Sequence, residues 1–376
     1  MSKKKILIVG MVDSIHLARW LSQFVDTDTQ IKIFPSSHFR FVHGKMYDFD
    51  GTNIQLLGLH TFKNLLGYLD TVITLRFCGN KVGKFFRKFY LRCYVMCYRP
   101  SIMHAIEIQH AGYLVASLKK VSEKRILTNW GSDIYYFQHI NGHEMQIRNS
   151  LEWATHYSAE CSRDYALARG LGFRGIELEK IPNAGGFNLK TAIRPTIASR
   201  DQLIVKCYGG TFGLGQLAIS VCSKFLENFD WARVFLYSVT HDLLTEAEEL
   251  ASRFPGRVRF STISKPMGHE EILKEFQKSR VYLGLSRSDG LSTSFLEALL
   301  VGTYPIQSNT SCASEFLELG ATGSIIEPEV ESVLEELIEV FGDELRLVNA
   351  LEANSVVAQQ FLDFEHVQKI AQTYYA

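Results

Sequence analysis

The sequence contains no apolar run approaching the roughly 18 residues that a membrane span requires, so no stretch of it reads as a transmembrane helix. It has no excess of charge. Lys+Arg and Asp+Glu both number 40 in 376 residues, which removes the electrostatic footprint of a nucleic-acid-binding chain. The seven cysteines (Cys78, Cys93, Cys97, Cys161, Cys207, Cys222 and Cys312) are odd in number, scattered, and include no C-x-x-C pair. That argues against a zinc-type ligand set or a disulfide framework. The expectation is small core residues in a reducing compartment, with no structural metal. Prolines are few, at eight, and there is neither an internal repeat nor a low-complexity tract. The opening MSKKKILIVG passes from lysines directly into a strand. It lacks the longer apolar core and small-residue cleavage site of a secretory signal, so the expected location is the cytoplasm.

What is present is an ordinary globular balance, 46% apolar and 21% charged. Its length exceeds the roughly 250–300 residues at which single cores stop growing, so two domains are expected. Apolar β-branched runs alternate with amphipathic segments, the pattern of α/β layers on parallel sheets. The strands read from it are residues 5–10, 31–34, 102–106, 125–129, 203–206, 234–237, 281–285 and 304–307. A Pro-bounded connector near residue 190 separates two strand-first halves. The boundaries are 1–190 for the first domain and 196–355 for the second. A final helix over 356–376 carries Phe361, Phe364, Tyr374 and Tyr375.

The densest signal lies in residues 288–328, SDGLSTSFLEALLVGTYPIQSNTSCASEFLELGATGSIIEP. Two acids, Asp289 and Glu297, are separated by seven residues, with a turn and a helix start between them and an apolar strand after them. One carboxylate can accept from sugar hydroxyls, turn and helix-start amides suit a diphosphate, and the second carboxylate suits a ribose. Ser294 and Glu297 also have capping-box spacing, in which the glutamate would satisfy its own helix start; Ser292 or Thr293 as cap would free it. The acid-x7-Glu pair, Gly290, Ala298 and the following GTYPIQS together resemble the donor signature of retaining glycosyltransferases of the GT-B fold, family 4. Asp289 stands where that family usually has glutamate.

The resemblance implies two Rossmann-like domains facing a cleft, with the last helix crossing back to the first. It implies transfer of a sugar from a nucleotide diphosphate of the UDP or GDP type to a hydroxyl acceptor, with retention and without metal or other cofactor. Asp289 and Glu297 then hold sugar and ribose. Lys206 neutralises diphosphate charge that grows in the transition state, in a turn with Gly209 and Gly210, although Gln216 stands where a second cation is expected. Lys265 is a substitute cation, and Gly290, Leu291, Ser292, Asn309 and Thr310 complete the donor set. In the first half, VDSIHLARW, HAIEIQHAGY and NWGSDI resemble a branch in which His16, His104, Glu107, His110 and Asp133 border the acceptor, His110 being the candidate acid–base group. The pathway implied is polysaccharide or cell-surface glycan synthesis. Rival readings are a non-catalytic sugar-nucleotide-binding subunit, a phosphorylase or an epimerase.

Residues 81–97 form the one strongly patterned segment. Lys81, Lys84, Lys88 and Arg92 make a cationic stripe, while Val82, Phe86, Tyr90, Cys93 and Cys97 make an apolar one, with Phe85 and Phe89 between. Such a helix either packs its apolar stripe on a sheet or lies on an anionic bilayer. In the second case the enzyme is peripheral at the inner face of the membrane and its acceptor is a lipid-linked glycan.

Overall fold

Strand β1 (Lys4–Gly10) carries Ile6, Leu7, Ile8 and Val9, all fully buried. A strand apolar on both sides needs cover on both faces, which a parallel sheet with helices above and below provides. The computed structural model, which describes residues 4–36, 42–56, 80–118 and 121–376, shows that arrangement twice. The chain divides into one unit of Met1–Gly185 with Val367–Ala376 and another of Gly186–His366.

In the first unit β1 is joined by β2 (Thr29–Pro35), β3 (Ile54–Leu56), β4 (Ile102–Ile106), β5 (Lys124–Thr128), β6 (His156–Ser158) and β7 (Ile176–Glu177). Their order is β3-β2-β1-β4-β5-β6-β7, and every pairing is parallel. Alternation along the strands divides the core. Leu7, Val9, Met103, Ala105 and Leu127 face one layer, while Ile6, Ile8, Ile31, Ile33, Ile102 and Ile126 face the other.

The second unit contains β8 (Gln202–Lys206), β9 (Arg233–Val239), β10 (Val258–Thr262), β11 (Ser279–Gly284), β12 (Tyr304–Ser308) and β13 (Ser324–Ile326). The order β10-β9-β8-β11-β12-β13 is again fully parallel. Each sheet reverses its strand order once, at β1/β4 and at β8/β11. Such switch points open a crevice outside the carboxyl ends of the strands.

The final residues belong to the first unit. Tyr374 and Tyr375 are buried there, the Trp20 indole N–H donates to the Tyr375 hydroxyl at 3.1 Å, and Ser158 Oγ lies 2.9 Å from the Tyr374 hydroxyl. The crossing is made inside one helix, Phe364–Thr373, which begins in one unit and ends in the other.

One expectation about the fold needs correction. The helix over Asn80–Tyr98 buries Leu91, Val95 and Tyr98, not the expected stripe: Phe86, Cys93 and Cys97 are exposed. Phe85, Phe89, Arg92 and Met96, at intervals of three and four, form the outward face, with the two phenylalanines 64% and 59% exposed. Cys207 and Cys222 are buried free thiols, as expected of small core residues. Cys78 lies outside the described residues.

Candidate active site

In the second unit the switch point brings three loops together. The loop after β8 touches the loop after β11 through a bridge between Gly213 and Ser286 and through Arg287 N–H donating to the Phe212 carbonyl at 2.7 Å. The loop after β12 joins them, with Asp289 N–H donating to the Thr310 carbonyl at 3.3 Å and the Thr310 hydroxyl to the Ser286 carbonyl at 2.6 Å. Asp289 is half-buried, and its Oδ1 accepts from Gly290 N–H at 2.9 Å. The helix Thr293–Val301 starts with Ser292 at its N-cap, whose side chain makes no capping bond, and Gly302 ends it in the left-handed conformation at φ 70°. Leu291 is buried beside that start.

Glu297 lies in the second turn of this helix, 4% exposed, with His269 Nε2 2.8 Å from its Oε1. The capping-box alternative therefore does not form. Below this edge Gly284 admits no side chain, because a Cβ would stand 2.3 Å from the Tyr282 hydroxyl and 2.4 Å from Gln307 Oε1.

Other expected donor groups are placed differently. Lys206 ends β8 half-buried, its ammonium 5.1 Å from the Tyr208 ring centroid. The Gly209 and Gly210 amides already have partners: Gly209 N–H donates to Thr240 Oγ1 at 2.9 Å and Gly210 N–H to Asp242 Oδ2 at 3.3 Å. The Thr240 hydroxyl, with the amides of Asp242 itself and Gly210, holds the Asp242 carboxyl below its usual range. Lys265 is exposed and forms a tight turn with Thr262, and the Asn309 side chain donates to Glu327. His269, Thr240, Asp242 and the exposed Arg287 carry no motif of their own, and only the fold brings them to this edge.

In the first unit the groups gather at the carboxyl ends of β1, β4 and β5. Glu107 follows β4 at φ 79°, a left-handed conformation costing on the order of 1–3 kcal/mol. Its carboxylate accepts from the N–H groups of Gln109 (2.7 Å) and His110 (2.8 Å), and from His110 Nδ1 at 3.0 Å. The wide π-type turn Ile108–Gly112 is thus pinned at its start. The bond to Glu107 raises the His110 pKa against the opposing effect of burial. Asp133 is buried and ties two loops together, its oxygens accepting from Ile108 N–H at 3.0 Å and Trp130 N–H at 2.8 Å. Burial, then the neighbouring Glu107 charge, pushes its pKa well up. His16 packs against Trp130 with centroids 5.3 Å apart and the rings tilted at 54°.

His104 is the correction. It is fully buried on β4, with Nδ1 2.8 Å from the Tyr375 hydroxyl and Nε2 2.7 Å from Thr128 Oγ1. Both ring nitrogens are engaged inside the core, so it does not border an acceptor.

Residues 257–355 match the model of the family described as glycosyl transferases group 1. That span includes Asp289 and Glu297. No curated protein matches the chain in sequence. Among solved structures it is similar to Anabaena HepE in complex with UDP and glucose, with a TM-score of 0.71, 14% identity, and 99% of each chain covered. It is also similar to sucrose-phosphate synthase from Thermosynechococcus elongatus, with a TM-score of 0.72 and 14% identity, covering 99% of this chain and 98% of that one. A glycosyltransferase from Rickettsia africae gives a TM-score of 0.66 at 12% identity, with 100% and 98% covered. These likenesses establish the two-domain Rossmann-like GT-B fold.

Proposed function

We propose that the protein is a retaining, metal-independent glycosyltransferase that moves a sugar from a nucleotide diphosphate to a hydroxyl of a glycan or lipid-linked acceptor. The observation that carries this reading is the placement of Asp289 and Glu297 on adjoining loop and helix at the switch point of a parallel sheet, inside the segment that matches the group 1 model. A UDP-type donor draws support from HepE, whose structure holds UDP and glucose.

Asp289 holds donor-sugar hydroxyls and Glu297 the ribose. Lys206, with the amides of residues 290–292 and the start of the helix Thr293–Val301, faces the diphosphate. Charge grows on the leaving oxygen as the bond from the anomeric carbon breaks, so these fixed positive groups act most in the transition state. The acceptor oxygen forms its bond on the face the diphosphate leaves, and its proton passes to a diphosphate oxygen. In the first unit His110, paired with Glu107, and His16 border the acceptor, while Asp133 ties the loop that carries His110 to that of Trp130, against which His16 packs.

The pathway proposed is polysaccharide or cell-surface glycan synthesis on the cytoplasmic side of a membrane. The helix Asn80–Tyr98 would rest on anionic lipid through Phe85, Phe89 and Met96, with Lys88 and Arg92 beside them. No helix among the described residues is long and apolar enough to cross a membrane.

Glu297→Gln should lower donor turnover by well over tenfold while the far-UV spectrum and midpoint of unfolding stay near wild type. An unchanged rate removes Glu297 from the site. NMR of the product's anomeric proton decides retention, and activity should survive EDTA.

One observation favours a second reading. With the Gly209 and Gly210 amides turned to Thr240 and Asp242, and Gln216 standing where a second cation is expected beside Lys206, the diphosphate side is weakly provided. A non-catalytic sugar-nucleotide-binding subunit would bind nucleotide yet neither transfer nor hydrolyse the sugar.

A further inference from the structure

Glu297 does not cap its own helix. Its carboxylate turns to His269, whose Nε2 lies 2.8 Å from Oε1; the imidazole is 36% exposed and the carboxylate 6%. His269 is the first residue of the helix His269–Gln277, which follows the loop after β10. Glu271 accepts from Gly268 N–H at 2.8 Å and so fixes the start of that helix. The imidazole is therefore presented from an anchored element terminus. Site geometry is held best when the supporting group sits on such an element.

A carboxylate offers two oxygens and about four acceptor positions. It can take an imidazole N–H and two vicinal hydroxyls together, provided its plane is fixed. We propose that His269 is a positioning residue for nucleotide recognition: it holds the Glu297 carboxylate so that the 2′ and 3′ hydroxyls of the donor ribose meet it as a pair. This rests on the glycosyltransferase reading and deepens it by naming what makes the site prefer ribonucleotides. Without His269 the carboxylate loses the bond that sets its plane at Oε1 and the ribose meets a less well aligned acceptor, while contacts to base and diphosphate are untouched. The signature is a change in discrimination between ribose and deoxyribose, which a merely structural role would not produce.

The test begins with a calorimetric panel of UDP, GDP and ADP on the full chain. The nucleotide that binds is then compared with its 2′-deoxy and 3′-deoxy forms on wild type, His269→Ala, His269→Gln and Glu297→Gln, each checked for folding by circular dichroism. Wild type should prefer the ribonucleotide by about tenfold or more, as a site built to bond a hydroxyl does. His269→Ala should bring that preference to within about twofold, by weakening the ribonucleotide alone. His269→Gln, which offers an amide N–H at similar reach, should restore most of it, and Glu297→Gln should lose it.

The proposal is overturned if His269→Ala weakens ribo and deoxy forms equally, if it leaves the preference intact, or if wild type shows no preference. Those failures leave donor turnover, and with it the transferase reading, standing. A wild-type protein that binds none of the three nucleotides overturns that reading itself.

Discussion

At the scale of single residues, burial decides which titratable groups serve the core and which serve a site. His104 sits between two hydroxyls, its Nδ1 2.8 Å from that of Tyr375, which accepts from Trp20, and its Nε2 2.7 Å from that of Thr128. Burial, with the nearby Lys124 charge, depresses its pKa to about 3. The unfolded chain, with a histidine pKa near 6.5, binds a proton between these values and the folded chain does not. Stability from His104 is therefore complete above about pH 6.5 and is lost as pH falls toward 3, at up to about 1.4 kcal/mol per pH unit. Unfolding midpoints from pH 7 to 4.5 should show this slope, and His104→Gln should flatten it. His110 has the opposite sign: its pKa is raised by Glu107, so its pairing is complete below its ordinary value and fades as pH rises through the raised one. The sequence shows two histidines six apart in one string, and nothing in their spacing says which is sealed.

At the scale of elements, the outward stripe of Phe85, Phe89, Arg92 and Met96 carries a prediction. Replacing Lys88 and Arg92 together by Glu should abolish cosedimentation with vesicles containing anionic phosphatidylglycerol, and adding salt should weaken the wild type. Wild type that stays in the supernatant ends the membrane proposal. The central strands were legible because a doubly covered strand must be apolar throughout: the readings at 102–106 and 304–307 lie within a residue of β4 and β12. The short strands β3, β6, β7 and β13 were not, being only two or three residues long. The buried side of the helix Asn80–Tyr98 was misread because two apolar arcs overlap on it. The surface it packs on chooses the aliphatic arc of Leu91 and Val95, and that surface is written elsewhere in the chain. Asp289 and Glu297 were proposed from local sequence, their spacing taken together with Gly290, Ala298 and the following GTYPIQS, whereas His269 reaches Glu297 from 28 positions away through the folded sheet.

At the scale of the whole molecule, the first unit is completed by residues from the far end of the sequence. Deleting Val367–Ala376 removes the aromatic contacts of Tyr375 with Phe24 and His104, and of Tyr374 with Trp20. Truncating one buried aromatic costs about 3–5 kcal/mol, so loss of this segment rivals the entire 5–15 kcal/mol margin of a typical domain. Hydrogen exchange should show protection lost within residues 1–185 and kept within 186–366. Tyr375→Phe, which leaves the Trp20 and His104 nitrogens without their shared hydroxyl, should cost about 1–3 kcal/mol; a neutral result would show that the hydroxyl does not matter.

The helix Phe364–Thr373, shared between the two units, also sets an order of events during synthesis. Domains generally fold from the amino end as they emerge, but here the amino-terminal core waits for Tyr374 and Tyr375. At about 5–20 residues per second, the last strand of the first sheet emerges on the order of ten to forty seconds before the tyrosines that close it. The unit born second is the first able to finish folding. A nascent chain stalled before residue 367 would thus expose an unfinished first core beside a finished second one, the state in which a chaperone would find it.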